Sequence, residues 1–173
     1  MTTCEECGFV YDLGTPEVFA GQVRTAAEAY VEPLLTTPGE ALRRRPAPET
    51  WSPLEYACHV RDVLLVQRER VLLARRTETP VAEPMGRDER VEHDGYAEQD
   101  PADVARQLLD AARLFAHTLD RLGPGDWDRT LVYTYPERAE CLLRWLAAHT
   151  LHEVRHHFQD LARQLPAGEP VRG

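Results

Sequence analysis

The 173-residue sequence contains no lysine, no isoleucine and no asparagine. The codons for these residues are AT-rich, and arginine, alanine, leucine and valine fill their usual niches. The omission therefore points to a GC-rich bacterial genome, not to a demand of the fold. No apolar run approaches the roughly 20 residues that span a bilayer, which excludes a membrane helix. Basic charge is also in deficit: the net charge is −9. Neutralising phosphates takes a basic footprint, so nucleic acid is disfavoured as a partner class and none is expected. The run Arg43-Arg44-Arg45 is too short to supply one and reads as a solvated loop or helix end. The chain start lacks the basic and apolar regions of a signal peptide, so a cytoplasmic location is expected. With 43% hydrophobic and 28% charged residues, the composition is that of a globular chain rather than a disordered one.

Cysteine is scarce, with four residues. A disulfide framework is not expected in a reducing compartment. Cys58 and Cys141 fall in helical patterns, where a buried inert thiol is the common case. Cys4 and Cys7 form a C-x-x-C-G sequence, which reads as metal or redox chemistry.

Start and stop signals predict four helices. The first opens at Thr15, with Pro16 at N1 and Glu17 facing the dipole, and runs to about Leu35. The second opens at Ser52-Pro53, with Glu55 completing a capping box, and runs to about Arg75. The third opens at Asp100-Pro101 and ends near Leu122 before "GPGD". The fourth covers about Ala139 to Leu165, with Pro166 beyond its end. "RTLVYTYPE" has β character but is too short to build a sheet. A polar loop from Thr77 to Gln99 is long enough to be functional. The expected architecture is all-α: an antiparallel four-helix bundle forming one domain over residues 1–173. Residues 1–14 are expected as a cysteine-bearing extension packing on it. Bundles of this kind hold metals with side chains from facing helices.

The fourth helix carries "HTLHEVRHH", His149 to His157. Its apolar stripe is Ala147, Leu151, Val154, Phe158, Leu161 and Leu165, in steps of four and three. At about 100° per residue, His157 lies roughly 75° and Glu153 roughly 115° from the stripe's centre. These two flank the core. His152 and His156 lie roughly 145° and 175° away and point out of the bundle. His149 falls between the faces. An inward metal site needs a ligand from another helix, and His59, among Leu54, Val63 and Leu64, is the candidate. Two histidines and a carboxylate leave coordination positions open, as in catalytic sites. Asp160, one turn after His157, is placed to orient it, and His149 is placed one turn before Glu153.

The outward pair His152 and His156 has H-x₃-H spacing. With Cys4 and Cys7 it makes a Cys₂His₂ set, which closes a structural zinc site if the N-terminal segment folds back across the helix. The other readings are an exposed dithiol with solvated histidines, or a redox-active C-x-x-C. Arg87, Arg90 and His93 belong to the long loop and read as solvated. His117 reads as a helix-surface residue. Trp51, Trp127 and Trp145 read as packing anchors.

"WSPLEYACHVRDVL" (Trp51 to Leu64) and "HTLHEVRHHFQDL" (His149 to Leu161) together resemble the DinB-like superfamily. That superfamily includes bacterial thiol-dependent transferases and mycothiol-dependent maleylpyruvate isomerases. The resemblance covers most of the chain in element order. It implies a divalent metal, zinc or nickel, held by one histidine of the second helix and a pair on the fourth. The isomerase-like pattern E-x-x-x-H-x-x-D maps onto Glu153, His157 and Asp160. A competing register uses His152 and His156, matches the three-histidine members better, and turns its ligands away from the apolar stripe. The resemblance further implies a low-molecular-weight thiol cosubstrate and a small electrophile, hence a thiol transferase or isomerase. In an actinobacterium, which the codon usage fits, that thiol would be mycothiol. The alternative is a non-catalytic, stress-related metal-binding bundle. A homodimer is compatible with either.

Overall fold

The structure is a computed structural model that describes residues 2–135 and 137–165. After a short turn at Pro16–Val18, the helices are α1 (Phe19–Glu28), α2 (Val31–Thr36), α3 (Gly39–Arg43), α4 (Pro53–Arg76), α5 (Arg87–His93), α6 (Pro101–Asp120) and α7 (Leu143–Gln164). Helix α4 packs on α6 and α7, and α1 packs on the same two, giving a four-helix bundle. The expected first helix is interrupted near Ala29 and Tyr30 and continues as α2. Pro166, the expected stop after α7, lies outside the described residues.

Helix α4 begins as its sequence dictates. Ser52 Oγ accepts from the Glu55 backbone N–H, and Glu55 Oε2 accepts from the Ser52 N–H at 2.7 Å. Arg45 donates to both Glu55 oxygens at 2.7 and 2.8 Å. Burial works against ionisation of Glu55, but these donors hold its carboxyl below the ordinary carboxylate range. At α6, Asp100 caps two backbone N–H groups. On α7 the apolar stripe is buried at Ala147, Leu151, Val154 and Leu161, which fixes the helix's rotation. Tyr30 adds a buried anchor, its hydroxyl donating to the Val154 carbonyl at 2.7 Å.

Two expectations need correction. The segment after Trp127 does enter a sheet: β1 (Val81–Ala82) pairs parallel with β2 (Thr130–Tyr133), which pairs antiparallel with β3 (Ala139–Leu142). The strand that completes it comes from the distant 77–99 loop, so the pairing was not visible locally. In consequence residues 139–142 are strand, α7 starts at Leu143, and Cys141 sits in β3 rather than in a helix. The long loop itself holds β1 and α5. It is tied to α4 through Asp62, which accepts from Tyr96 Oη (2.6 Å), Arg61 Nε (2.8 Å) and Arg90 Nη1 (3.1 Å).

Candidate metal centre

Helices α4 and α7 bring His59, Glu153 and His157 together, with one ligand atom of each within 4.8 Å of the others. Glu153 Oε2 stands 3.5 Å from His157 Nε2 and 3.9 Å from His59 Nε2. His157 Nδ1 is hydrogen-bonded to Asp160 Oδ2 at 3.0 Å. A carboxylate that fixes one ring nitrogen leaves the other to face a metal, so the second partner of His157 is in place. His59 is buried and its Nδ1 has no hydrogen-bond partner. Around it pack Trp51, with ring centroids 4.9 Å apart, and His157, at 5.0 Å.

The electrostatics follow from burial and pairing. Burial pushes His59 below its ordinary value. Burial also disfavours charge on Glu153 and His157. Hydrogen bonds to the histidines nevertheless hold Glu153 well below the carboxylate range, and Asp160 and Glu153 raise His157 to about 9. The donor set of two imidazoles and an ionised carboxylate suits a divalent ion with positions left open.

His59 and Glu153 border a cavity of about 280 Å³, walled by α4, α7, β2, the loop before α5 and the start of α5. His59, Val63, Gln67 and Arg70 line it from α4. Their spacing of four, four and three places them on one helix face, a signal present in the sequence that points from His59 to Arg70. Arg70 is buried. Its Nη1 lies 3.2 Å from both Gln67 Oε1 and Tyr133 Oη, and its Nη2 donates to the Glu83 carbonyl. Among the described residues no carboxylate pairs with it. Tyr133, from the strand that sequence reading did not place, gives its ring to Arg70 at 5.0 Å.

His149 also lines this cavity, lowered by burial, with its ring stacked on Trp145 at 4.7 Å. Its Nδ1 bonds the Tyr11 hydroxyl at 3.0 Å, and its Nε2 lies 3.9 Å from Glu153 Oε1. Arg87 lines the cavity as well, with its guanidinium over the Trp51 and Tyr135 rings, rather than being merely solvated. Arg90 is likewise engaged, through Asp62. His117 is exposed on α6, and Trp127 is buried as a packing residue. Cys58 is buried and its thiol is pushed up to about 12, as suits an inert packing cysteine.

The outward histidines are not solvated. Residues 2–11 form a small hairpin over them, closed by a Thr3–Val10 bridge. Cys4, Cys7, His152 and His156 come together, again with one ligand atom of each within 4.8 Å of the rest. With His59 come Glu153 and His157, whereas His152 and His156 stand with Cys4 and Cys7.

Residues 21–161 match the family model of the DinB superfamily. A solved structure with a similar fold is that of YfiT from Bacillus subtilis, described as a probable metal-dependent hydrolase with an unusual four-helix bundle topology. The two share 15% identity, the alignment covers 86% of each chain, and the TM-score is 0.74. No curated protein matches the sequence.

Proposed function

The chain belongs to the DinB superfamily, and from that premise we propose that it is a metal-dependent enzyme that joins a low-molecular-weight thiol, mycothiol in an actinobacterium, to a small anionic electrophile. Either the thiol sulfur loses its proton and displaces a leaving group from the electrophile, or it adds to a double bond and is expelled again, which isomerises the electrophile. One observation carries the reading: His59 and Glu153 of the His59–Glu153–His157 set border a small cavity that is also lined, three turns further along α4, by a buried arginine with no carboxylate partner among the described residues.

A divalent ion on those three residues would lower the pKa of a bound thiol and favour its thiolate. The remaining work falls to the protein's own side chains. Asp160 keeps the His157 ring oriented and its Nε2 turned toward Glu153. Arg70, held by Gln67 and Tyr133, offers a fixed charge to an anionic group of the electrophile, because an unpaired buried cation is costly until an anion meets it. Arg87, which lines the cavity, packs its guanidinium over the Trp51 and Tyr135 rings. YfiT's description makes water the competing nucleophile, and the same assay separates the two.

The test is metal analysis and calorimetric titration with mycothiol or a cysteinyl analogue, followed by product analysis on small anionic electrophiles. Thiol binding that depends on the metal and disappears in His59→Ala is the expected result. Turnover of the substrate in the absence of any thiol, or thiol affinity unchanged by His59→Ala, would overturn the proposal.

A further inference from the structure

Seven residues on or near α7 fall into two ligand sets that share no member: His59, Glu153 and His157 on one side, Cys4, Cys7, His152 and His156 on the other. Two further groupings, His149–His152–Glu153 and His156–His157–Asp160, each borrow from both sets and cannot be filled alongside them. We propose that Cys4, Cys7, His152 and His156 form a closed zinc site, separate from the catalytic one, that clamps the N-terminal hairpin onto α7. The site lies partly beyond the family match, which begins at residue 21.

The geometry fits the ion. Zinc bonds of about 2.3 Å to sulfur and 2.0–2.1 Å to nitrogen give a tetrahedron with edges of roughly 3.3–3.8 Å. Cys4 Sγ is already 3.9 Å from His156 Nδ1. The opposite nitrogen of His156, Nε2, faces the carboxylates of Glu6 at 3.3 Å and Asp160 at 3.6 Å. That is the arrangement that steadies a metal-bound imidazole. His152 is the stronger sign. Both of its ring nitrogens are shut off from solvent and neither has a hydrogen-bond partner, Nδ1 standing 3.6 Å from Glu153 Oε1. Buried polar atoms in native folds are almost always satisfied, so a missing ligand is the economical account.

The backbone around the cysteines is preformed for the task. Gly8 takes φ +71°, a left-handed turn that favours glycine, and its N–H donates to the Cys4 carbonyl at 2.9 Å. The Cys4 N–H donates to the Phe9 carbonyl, closing the loop. Phe9 and Tyr11 then lie against His152, with ring centroids at 5.3 and 5.5 Å, and Arg155 covers Phe9. Four protein ligands leave no open position, so the ion holds structure and does not take substrate. Its grip reaches the cavity through Tyr11, whose hydroxyl meets His149.

Metal content of the full-length protein, purified under reducing conditions with zinc present, tests this. Cys4→Ser/Cys7→Ser should lose about one zinc equivalent per chain, whereas His59→Ala should keep it. Cobalt substitution of the unaltered protein gives a second readout that does not depend on how the variants fold. A thiolate-to-cobalt charge-transfer band is expected, retained in His59→Ala. Zinc content unchanged by the double cysteine replacement overturns the proposal. So does the absence of a sulfur–cobalt band in the unaltered, reduced protein, including a case where Cys4 and Cys7 are recovered as a disulfide. Because the band reports sulfur ligation alone, it persists even if the catalytic reading fails.

Discussion

His152 Nδ1 stands 3.6 Å from Glu153 Oε1, while the other oxygen of Glu153 faces His157 and His59. Adjacent residues on one helix thus stand back to back, one in each ligand set. Glu153→Gln removes the anionic ligand from the inner set and leaves the four outer ligands intact. Central metal binding is expected to weaken by more than about 100-fold, beyond the range for loss of an outer partner. Competitive chelation measures it, and the sulfur–cobalt band should be unchanged.

Asp160 touches both sets, at 3.0 Å from His157 Nδ1 and 3.6 Å from His156 Nε2. Asp160→Ala is expected to weaken the central ion by roughly 10–100-fold, with a smaller effect on the cysteine site, as the two distances rank them. Chelator titration of each site gives the two affinities.

Arg70→Met should leave metal content unchanged and raise KM for an anionic electrophile by about 10–100-fold, the worth of one hydrogen bond to a charged group. A neutral ester of the same electrophile should show no such rise. Equal losses for both compounds would mean that Arg70 acts on the fold and not on the substrate.

Much of this was written in helical phase. The apolar stripe of α7 is regular in its spacing, and four of its six residues, Ala147, Leu151, Val154 and Leu161, are fully buried, so the azimuths of Glu153, His157, His152 and His156 could be read directly. Capping at Ser52 and Asp100 set two helix starts without reference to anything distant. What stayed hidden was non-local. Tyr133 reaches the cavity because β2 pairs with β1, some fifty residues earlier in the chain, a register no local window contains. His149 looked intermediate because its neighbours Tyr11 and Tyr133 come from segments whose positions the periodicity of α7 does not report.

The Asp62 cluster joins α4 to the loop that walls the cavity. Asp62→Ala strips Arg61, itself buried, of its nearest anion and frees Tyr96 and Arg90. Breaking a buried pair from one side costs about 3–5 kcal/mol. Denaturant unfolding should show a loss of that size, and substrate KM should rise as the wall loosens.

Acid stability depends in part on Glu55. Its carboxyl is lowered in the folded state by Arg45 and Ser52, against the opposing effect of burial. The stabilisation is therefore fully present above the unfolded value near 4.3 and is lost as pH falls through the folded one. Glu55→Gln should flatten the stability–pH curve on that acid side and lower stability at pH 7. Ser52→Ala removes the hydroxyl half of the cap but leaves Arg45 and the backbone N–H of residue 52 on the Glu55 carboxylate, so it should cost about 1 kcal/mol and keep most of the pH dependence. Thermal melts across pH 3–7 (roughly the carboxylate range) distinguish the two.

The two pairs on α7, at positions 152/156 and 153/157, have the same spacing and differ by a single step along the chain. Inserting one residue between Leu143 and His149 would carry His152 and His156 into the places now held by Glu153 and His157, opposite His59. The helix thus stores a three-histidine alternative, silent in the present frame. The hydrophobic residues from Ala147 to Leu161 act as its reading head, because the same shift would turn them out of the core.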